Sequence, residues 1–385
     1  MRVLHLCLSC FYIDKYSYQE NMLPKYHKLL GYDVAIIASL VSFDENGEQM
    51  TLSESGEYIN EYGIPVTRLA YKTKNRLSRL LRHYEGTLRE IEEYNPDIMF
   101  VHGIQFIDVR QIIKYKRKHP ATKIYIDNHS DFSNSALNWI SKNIQHKILW
   151  RYYAHKVSSS VEKFYGVLPA RVDFLADMYG LPRDKIELLV MGADDELVAT
   201  AKSAEVRKSI REKYGINEDD FLIMTGGKID SAKKQTLLLM EAVKGIEKQN
   251  VKLIVFGSVI DNLKTEIQTL SDGDRIQYIG WIQSNDAYAY FAAADLVVFP
   301  GRHSVFWEQV AGLGVPMIVK HWEGTTHIDV GGNCDFLYED SVVEIQNKIQ
   351  ALINNPVRYE EMKRVAETKG MDMFSYRAIA EKSLS

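Results

Sequence analysis

Residues 294–316 constrain the fold of this chain more than any other stretch. Leu296-Val297-Val298-Phe299 is a continuous apolar, β-branched run, the pattern of a strand buried on both faces of a parallel sheet. Pro300-Gly301 stops it, polar residues fill a loop, and the small-residue segment Val310 to Gly314 reads as helix before Pro316 to Val319 opens another strand. Such a loop lies at the carboxyl end of a parallel strand, where open α/β sheets bind ligands, and the helix behind it offers unpaired N–H groups to an anion. Glu308 falls near that helix N-terminus, where a carboxylate suits either the helix dipole or a ligand.

The same alternation fills the rest of the chain. Met1 to Cys10 and Val34 to Ala38 read as strands joined by a helix from Gln19 to Leu30 that ends at Gly31. The connecting loop, Phe11 to Asn21, has no glycine, which argues against a dinucleotide bound there. Its Tyr12, Tyr16, Tyr18, Gln19, Glu20 and Asn21 suit a hydroxyl-rich ligand or a plain surface loop equally. Asp97 to His102 and Lys123 to Asp127 are further strands that leave His102 and His129 at their carboxyl edge; His129, flanked by Asp127, Asn128 and Asp131, has the richer polar setting for proton or charge chemistry. Val157 to Ser160 and Ile186 to Asp194 read as strands, and Glu196 to Lys213 as linker and helix.

A second α/β series begins at Phe221. The strand Phe221 to Thr225 runs into Gly226-Gly227-Lys228 and on to Lys233, opening a helix from Thr236 to Ile246. Glycines let a backbone approach a phosphate, and lysines supply the counter-charge; a solvated lysine pair is the alternative. Val251 to Gly257 and Ile276 to Gly280 are the next strands, followed by a helix from Asn285 to Ala294. Two sheets with ligand-facing carboxyl edges imply a cleft between two domains.

At 385 residues, 46% apolar and 25% charged, the chain has the size of two soluble globular domains. No run of about 18 apolar residues could span a bilayer and the N-terminus reads as a strand, so the expected location is cytoplasmic. Three cysteines make no disulfide framework, and Cys7 with Cys10 reads as buried small apolar residues. Residues 1–190 carry 25 Lys+Arg against 22 Asp+Glu, and the remainder 22 against 29, so the first half is mildly basic. Its helical segments Arg76 to Arg89, Arg110 to His119 and Lys142 to Lys156 suit either an anionic membrane face or plain solvation.

Taken together the pieces resemble a family 4 glycosyltransferase of the GT-B fold, an α/β architecture of two Rossmann-like domains with a donor/acceptor cleft between them. The resemblance rests on Met1-Arg2-Val3-Leu4-His5, Gly31-Tyr32-Asp33-Val34, Tyr165-Gly166, Met191-Gly192-Ala193-Asp194, Gly226-Gly227-Lys228 through Lys233, Phe256-Gly257, Ile279-Gly280-Trp281, and Ala294-Asp295 through Glu308 to Pro316. It implies a first, acceptor-binding domain over residues 1–194, a second, donor-binding domain over 195–373, and a final helix, 374–385, that packs back on the first.

The activity implied is transfer of a sugar from a nucleotide-sugar to a glycan or lipid-linked glycan acceptor with retention of configuration, without metal or cofactor and without nucleic acid as a partner. Lys228 and Lys233 would neutralise the leaving diphosphate, and His129 would contact the donor sugar near its reacting carbon. Glu308 would accept the ribose hydroxyls. Gly227, Gly280, Trp281 and Ile282, with His303, Ser304, Val305 and Phe306, would complete the donor site. Tyr18, Gln19, Asn21, His102 and Asp131 are the candidates for acceptor contacts, and the inner face of the cell membrane a candidate location through the basic helices. Two departures stand out: Lys228 replaces the usual arginine, and Pro300 stands where the first glutamate of the family's E-x7-E pattern belongs. They keep open a catalytically degenerate scaffold or regulator of the same fold. The family's spacing disfavours an epimerase or phosphorylase, and the missing G-x-G-x-x-G a nicotinamide enzyme.

Overall fold

The computed structural model describes residues 1–43, 49–231 and 234–385. They form two units, Met1–Met191 with Ile379–Ser385, and Gly192–Ala378. The sequence placed the divisions at 194/195 and 373/374.

The first unit is built on one sheet. Its strands run in the order Ile186–Leu188, Lys163–Gly166, Lys123–Asn128, Ile98–His102, Arg2–Cys7, Asp33–Ser39, Pro65–Leu69 and Gly56–Ile59. All pair in parallel except Gly56–Ile59, which runs antiparallel at the edge. Every residue of Ile98–His102 is buried, which is why Ile98 to Val101 reads as an unbroken apolar run.

Three sequence expectations change here. Val157 to Ser160 is not a strand: Val157 and Ser158 form the last turn of the helix Arg151–Ser158, with Val157 packed into the core, and the strand follows at Lys163–Gly166. The expected helix from Arg76 to Arg89 is two helices, Arg76–Leu81 and Thr87–Tyr94, because Arg82 (φ +50°) and Gly86 (φ +81°) turn left-handed between them. The third basic segment winds as a wide π-helix over Ser141–Trp150 before Arg151–Ser158 continues it as α-helix. At the other end of the chain, Tyr125 donates to the Leu384 carbonyl (3.0 Å) and Lys382 to that of Leu188 (2.8 Å).

The second unit is a six-stranded, wholly parallel sheet in the order Ile276–Tyr278, Val251–Phe256, Phe221–Gly226, Leu296–Phe299, Met317–Lys320 and Cys334–Leu337. The helix after Leu296–Phe299 runs from Phe306 to Leu313, beginning four residues before the expected Val310. Its small residues have a packing reason. It lies so close to the helix Pro356–Phe374 that a Cβ on Gly370 would stand 2.0 Å from the Ala311 carbonyl oxygen.

Candidate active site

In the first unit the carboxyl ends of the central strands open on a pocket of about 310 Å3. Ser9, Tyr18, Gln19, Glu20, Gln105 and His129 are among the residues that line it. His129, 21% exposed, presents Nε2 at 3.2 Å from Asp127 Oδ2 and 3.7 Å from Glu20 Oε1, contacts of charge rather than aligned hydrogen bonds. Burial opposes a charge on the ring, but Asp127 and Glu20 outweigh it and raise the imidazole above its ordinary value. Burial likewise works against Asp127, and His129 and His102 hold its carboxyl far below the usual range.

Behind Asp127 runs a chain of buried histidines. Asp127 Oδ2 lies 2.9 Å from His102 Nδ1; His102 Nε2 lies 3.0 Å from His5 Nδ1; His5 Nε2 lies 2.9 Å from His27 Nδ1. His27 Nε2 ends the chain on the Ala380 carbonyl (3.1 Å) and the Ser383 hydroxyl (2.9 Å), whose own proton goes to that same carbonyl. Facing a carbonyl, His27 Nε2 must donate; with neutral rings His5 then donates to His27 and His102 to His5. If the three rings were neutral, the Nδ1 lone pair of His102 would then face a carboxylate. Hydrogen bonding at every link, in a site with no solvent access, therefore requires one proton more than three neutral rings carry.

The pocket wall is tied by another network. Arg82, held in its left-handed conformation, donates from one guanidinium nitrogen to Ser9 Oγ (3.1 Å) and the Gln105 carbonyl (2.9 Å). Gln105 in turn donates to the Tyr179 hydroxyl (2.9 Å), which is hydrogen-bonded to His146 Nδ1 (2.9 Å).

In the second unit three strand ends are laced together at the sheet's carboxyl edge. Gly227 N–H donates to the Phe256 carbonyl (3.1 Å), Gly257 N–H to that of Gly280 (2.7 Å), and Ile229 N–H to that of Ser258 (2.8 Å). Gly257 has φ +127°, and a Cβ there would stand 1.8 Å from the Gly227 carbonyl oxygen, so only glycine fits. Glu308 sits in the first turn of Phe306–Leu313 with no exposure. Its Oε1 accepts from His303 Nε2 (2.8 Å) and His327 Nε2 (2.9 Å), while Oε2 is buried without a partner. Burial would raise this carboxyl, but the two imidazoles, His303 foremost, bring it down to about 2.

The residues expected to bind ligands fall into two groups. Tyr18, Gln19 and His129 share the first-unit pocket, whereas His102, Asn21 and Asp131 are committed within the fold. Both nitrogens of His102 are taken by His5 and Asp127; Asn21 donates to the Ile13 carbonyl (2.9 Å); Asp131 accepts from Ser133 and pairs with Arg171 (3.2 Å). In the second unit Lys228 is exposed, Trp281 is 68% exposed, and Gly227, Gly280, Ile282 and His303 are half-buried. Of the N–H groups of Val305 to Trp307, that of Trp307 is taken by the Ser304 carbonyl (3.0 Å). Lys233 lies outside the described residues. Sequence reasoning missed Arg82, Gln105 and His327 as site residues, and the histidine chain with them. Among the described residues, three donor groups have spacings that could hold a metal ion: Cys10, Glu20 and His129; His102, Asp127 and His129; His303, Glu308 and His327. In the last, hydrogen bonds to Glu308 already account for both imidazole Nε2 atoms.

Two Rossmann-like units, each with its polar residues gathered at the carboxyl edge of a parallel sheet, define a protein of the GT-B fold. The chain resembles the glycosyl transferases group 1, whose family model matches residues 206–369, within the second unit. It is 20% identical over 369 residues to the mannosylfructose-phosphate synthase of Agrobacterium fabrum, a match that covers 88% of this chain and 79% of that one. The fold is shared with a glycosyltransferase from Rickettsia africae (TM-score 0.71, 16% identity, 100% of this chain and 96% of that). It is shared too with Anabaena HepE solved in complex with UDP (TM-score 0.68, 14% identity, 99% and 98%).

Proposed function

We propose that this chain is a retaining glycosyltransferase that moves a sugar from a nucleotide-sugar donor to a saccharide or lipid-linked saccharide acceptor without a metal ion. One observation carries the reading: Glu308, kept ionised by two imidazoles, stands at the start of the helix that follows the strand Leu296–Phe299, inside the segment that matches the family. A buried carboxylate with one free oxygen suits a vicinal diol such as the ribose of a nucleotide. The glycine-lined edge at Gly227 and Gly257, with the exposed Lys228 beside it, suits the diphosphate. HepE has been solved with UDP and with UDP-glucose, which supports a uridine donor here. His129 takes the contact with the transferred sugar, and its raised basicity favours the charged form that stabilises an oxyanion.

Thermal unfolding with UDP, GDP and ADP and their sugar conjugates, followed by assay of released nucleotide, tests the proposal. A donor at about 100 times its dissociation constant adds roughly 2.7 kcal/mol of stability. Lys233→Ala should then lower turnover roughly 100-fold or more by loss of charge stabilisation at the leaving group. The absence of the family's first glutamate favours a second reading, a protein that binds nucleotide without turnover. Stabilisation by one nucleotide with no release in the presence of any acceptor would select it.

A further inference from the structure

The first unit wears apolar side chains on the outside of its basic helices. Leu137, Trp139, Ile140, Ile144, Ile148 and Tyr152 are each between 47% and 70% exposed, and Ile140, Ile144, Ile148 and Tyr152 recur every four residues. Leu77 and Leu80, 58% and 53% exposed, project from the helix Arg76–Leu81. A cavity of about 270 Å3 joins the two elements, with Arg79 and Leu80 on one side and His146, Leu149 and Trp150 on the other.

The charges around this surface have one sign. Residues 72–82 contain Lys72, Lys74, Arg76, Arg79 and Arg82, residues 137–158 contain Lys142, Lys147, Arg151 and Lys156, and neither stretch has an Asp or Glu. Exposed apolar area of this extent marks an interaction surface. A second copy seated here across a two-fold axis would set these cations against their own images. An anionic bilayer complements them, takes the isoleucines into its interface, and places Trp139 and Tyr152 at headgroup level.

The surface also adjoins the candidate active site, because Arg82, Gln105 and Ser130 line both this cavity and the His129 pocket. We propose that the first unit seats on an anionic bilayer through this surface, so that the acceptor reaching the His129 pocket is an amphiphile presented by the membrane. The docking stands by itself; the nature of the acceptor rests on the glycosyltransferase reading above.

Flotation of the full chain with phosphatidylcholine vesicles, with and without phosphatidylglycerol, tests the docking. Binding is expected only with the anionic lipid, weakening as salt is raised, with a blue shift of tryptophan emission that Trp139→Phe removes. The double variant Ile144→Glu/Ile148→Glu should melt like the parent and lose vesicle affinity roughly ten-fold or more, since it removes apolar area and adds repulsion. No flotation of the parent, or equal flotation of the variant, would overturn the proposal. So would a parent dimer that the double variant converts to monomer without any vesicle binding. If nucleotide release is established, a long-chain alkyl glycoside in anionic vesicles should be used better than its short-chain soluble homologue, and equal use would refute the amphiphilic acceptor. Nucleotide-induced stabilisation, measured without lipid on the parent and the double variant, should be the same. Its absence from both strikes the glycosyltransferase reading and leaves the docking standing.

Discussion

His102 Nδ1 lies 2.9 Å from Asp127 Oδ2, and neither side chain has any exposed surface. Asp127 thus stands between His129, which faces the pocket, and a buried chain of imidazoles that can be hydrogen-bonded throughout only with one proton more than three neutral rings carry. Asp127→Asn separates the two roles. An amide can donate to His102 Nδ1 and let all three rings be neutral, so the variant should fold with a melting temperature near the parent's. It removes the charge that raises His129, whose titration should move to lower pH. Long-range 1H–15N spectra of the histidines would show both effects, and an unmoved His129 midpoint would contradict the assignment.

The same chain sets a pH dependence of stability. Burial lowers His27 to about 3 and depresses His5 as well. As pH falls below about 6.5, the unfolded chain takes up protons that these folded rings refuse, so stability is present above that pH and is lost on acidification toward pH 3, by up to about 1.4 kcal/mol per pH unit for each proton. His129 has the opposite sign: its value is raised, so its contribution is full below about 6.5 and fades as pH rises through the folded value. Urea unfolding from pH 8 to pH 4 should show the acid-side loss, and His27→Gln should flatten it. A slope unchanged in that variant would exclude His27 as its source.

Glu308 and its two histidines respond differently to two substitutions. His327→Ala leaves Glu308 Oε1 with one donor in a site without solvent, and loss of a hydrogen bond to a buried charge costs about 1.5–3 kcal/mol. Glu308→Gln keeps the shape and removes the charge. It should cost less stability than His327→Ala and abolish most of the stabilisation by nucleotide. Full nucleotide stabilisation in Glu308→Gln would remove this residue from the donor site.

What the sequence revealed follows from how each element is buried. Leu296–Phe299 was legible to the residue because a strand covered on both faces must be apolar at every position. The helix after it lost its first turn because Phe306 and Trp307 follow Arg302-His303-Ser304 and read as loop; Trp307 is fully buried and belongs to the core. His5 and His27 each look like a stray polar residue in an apolar segment. Only the fold brings His5 to His102 across 97 positions, and to His27 across 22. Arg82 was hidden for a local reason: the left-handed turn that aims it at Ser9 and Gln105 interrupts a pattern that otherwise reads as one helix.

Gly257 permits a test that separates backbone strain from close approach at the carboxyl edge of the second sheet. Both Gly257 (φ +127°) and Gly273 (φ +79°) occupy conformations that L-residues resist. Nothing lies within 4 Å of where a Cβ on Gly273 would be, whereas one on Gly257 would stand 1.8 Å from the Gly227 carbonyl oxygen. Gly273→Ala should therefore cost about 1 kcal/mol, the price of a left-handed alanine, and leave function alone. Gly257→Ala cannot be accommodated by a side-chain rotation, because the obstacle is backbone. It must push the Gly227 segment off the strand end, breaking the bond from Gly227 N–H to the Phe256 carbonyl and displacing Lys228 with it. A loss of roughly 3 kcal/mol or more is expected, with nucleotide stabilisation lost out of proportion to the fall in melting temperature. If Gly257→Ala and Gly273→Ala lower stability equally and both still respond to nucleotide, the laced glycine edge is a structural feature and the diphosphate binds elsewhere.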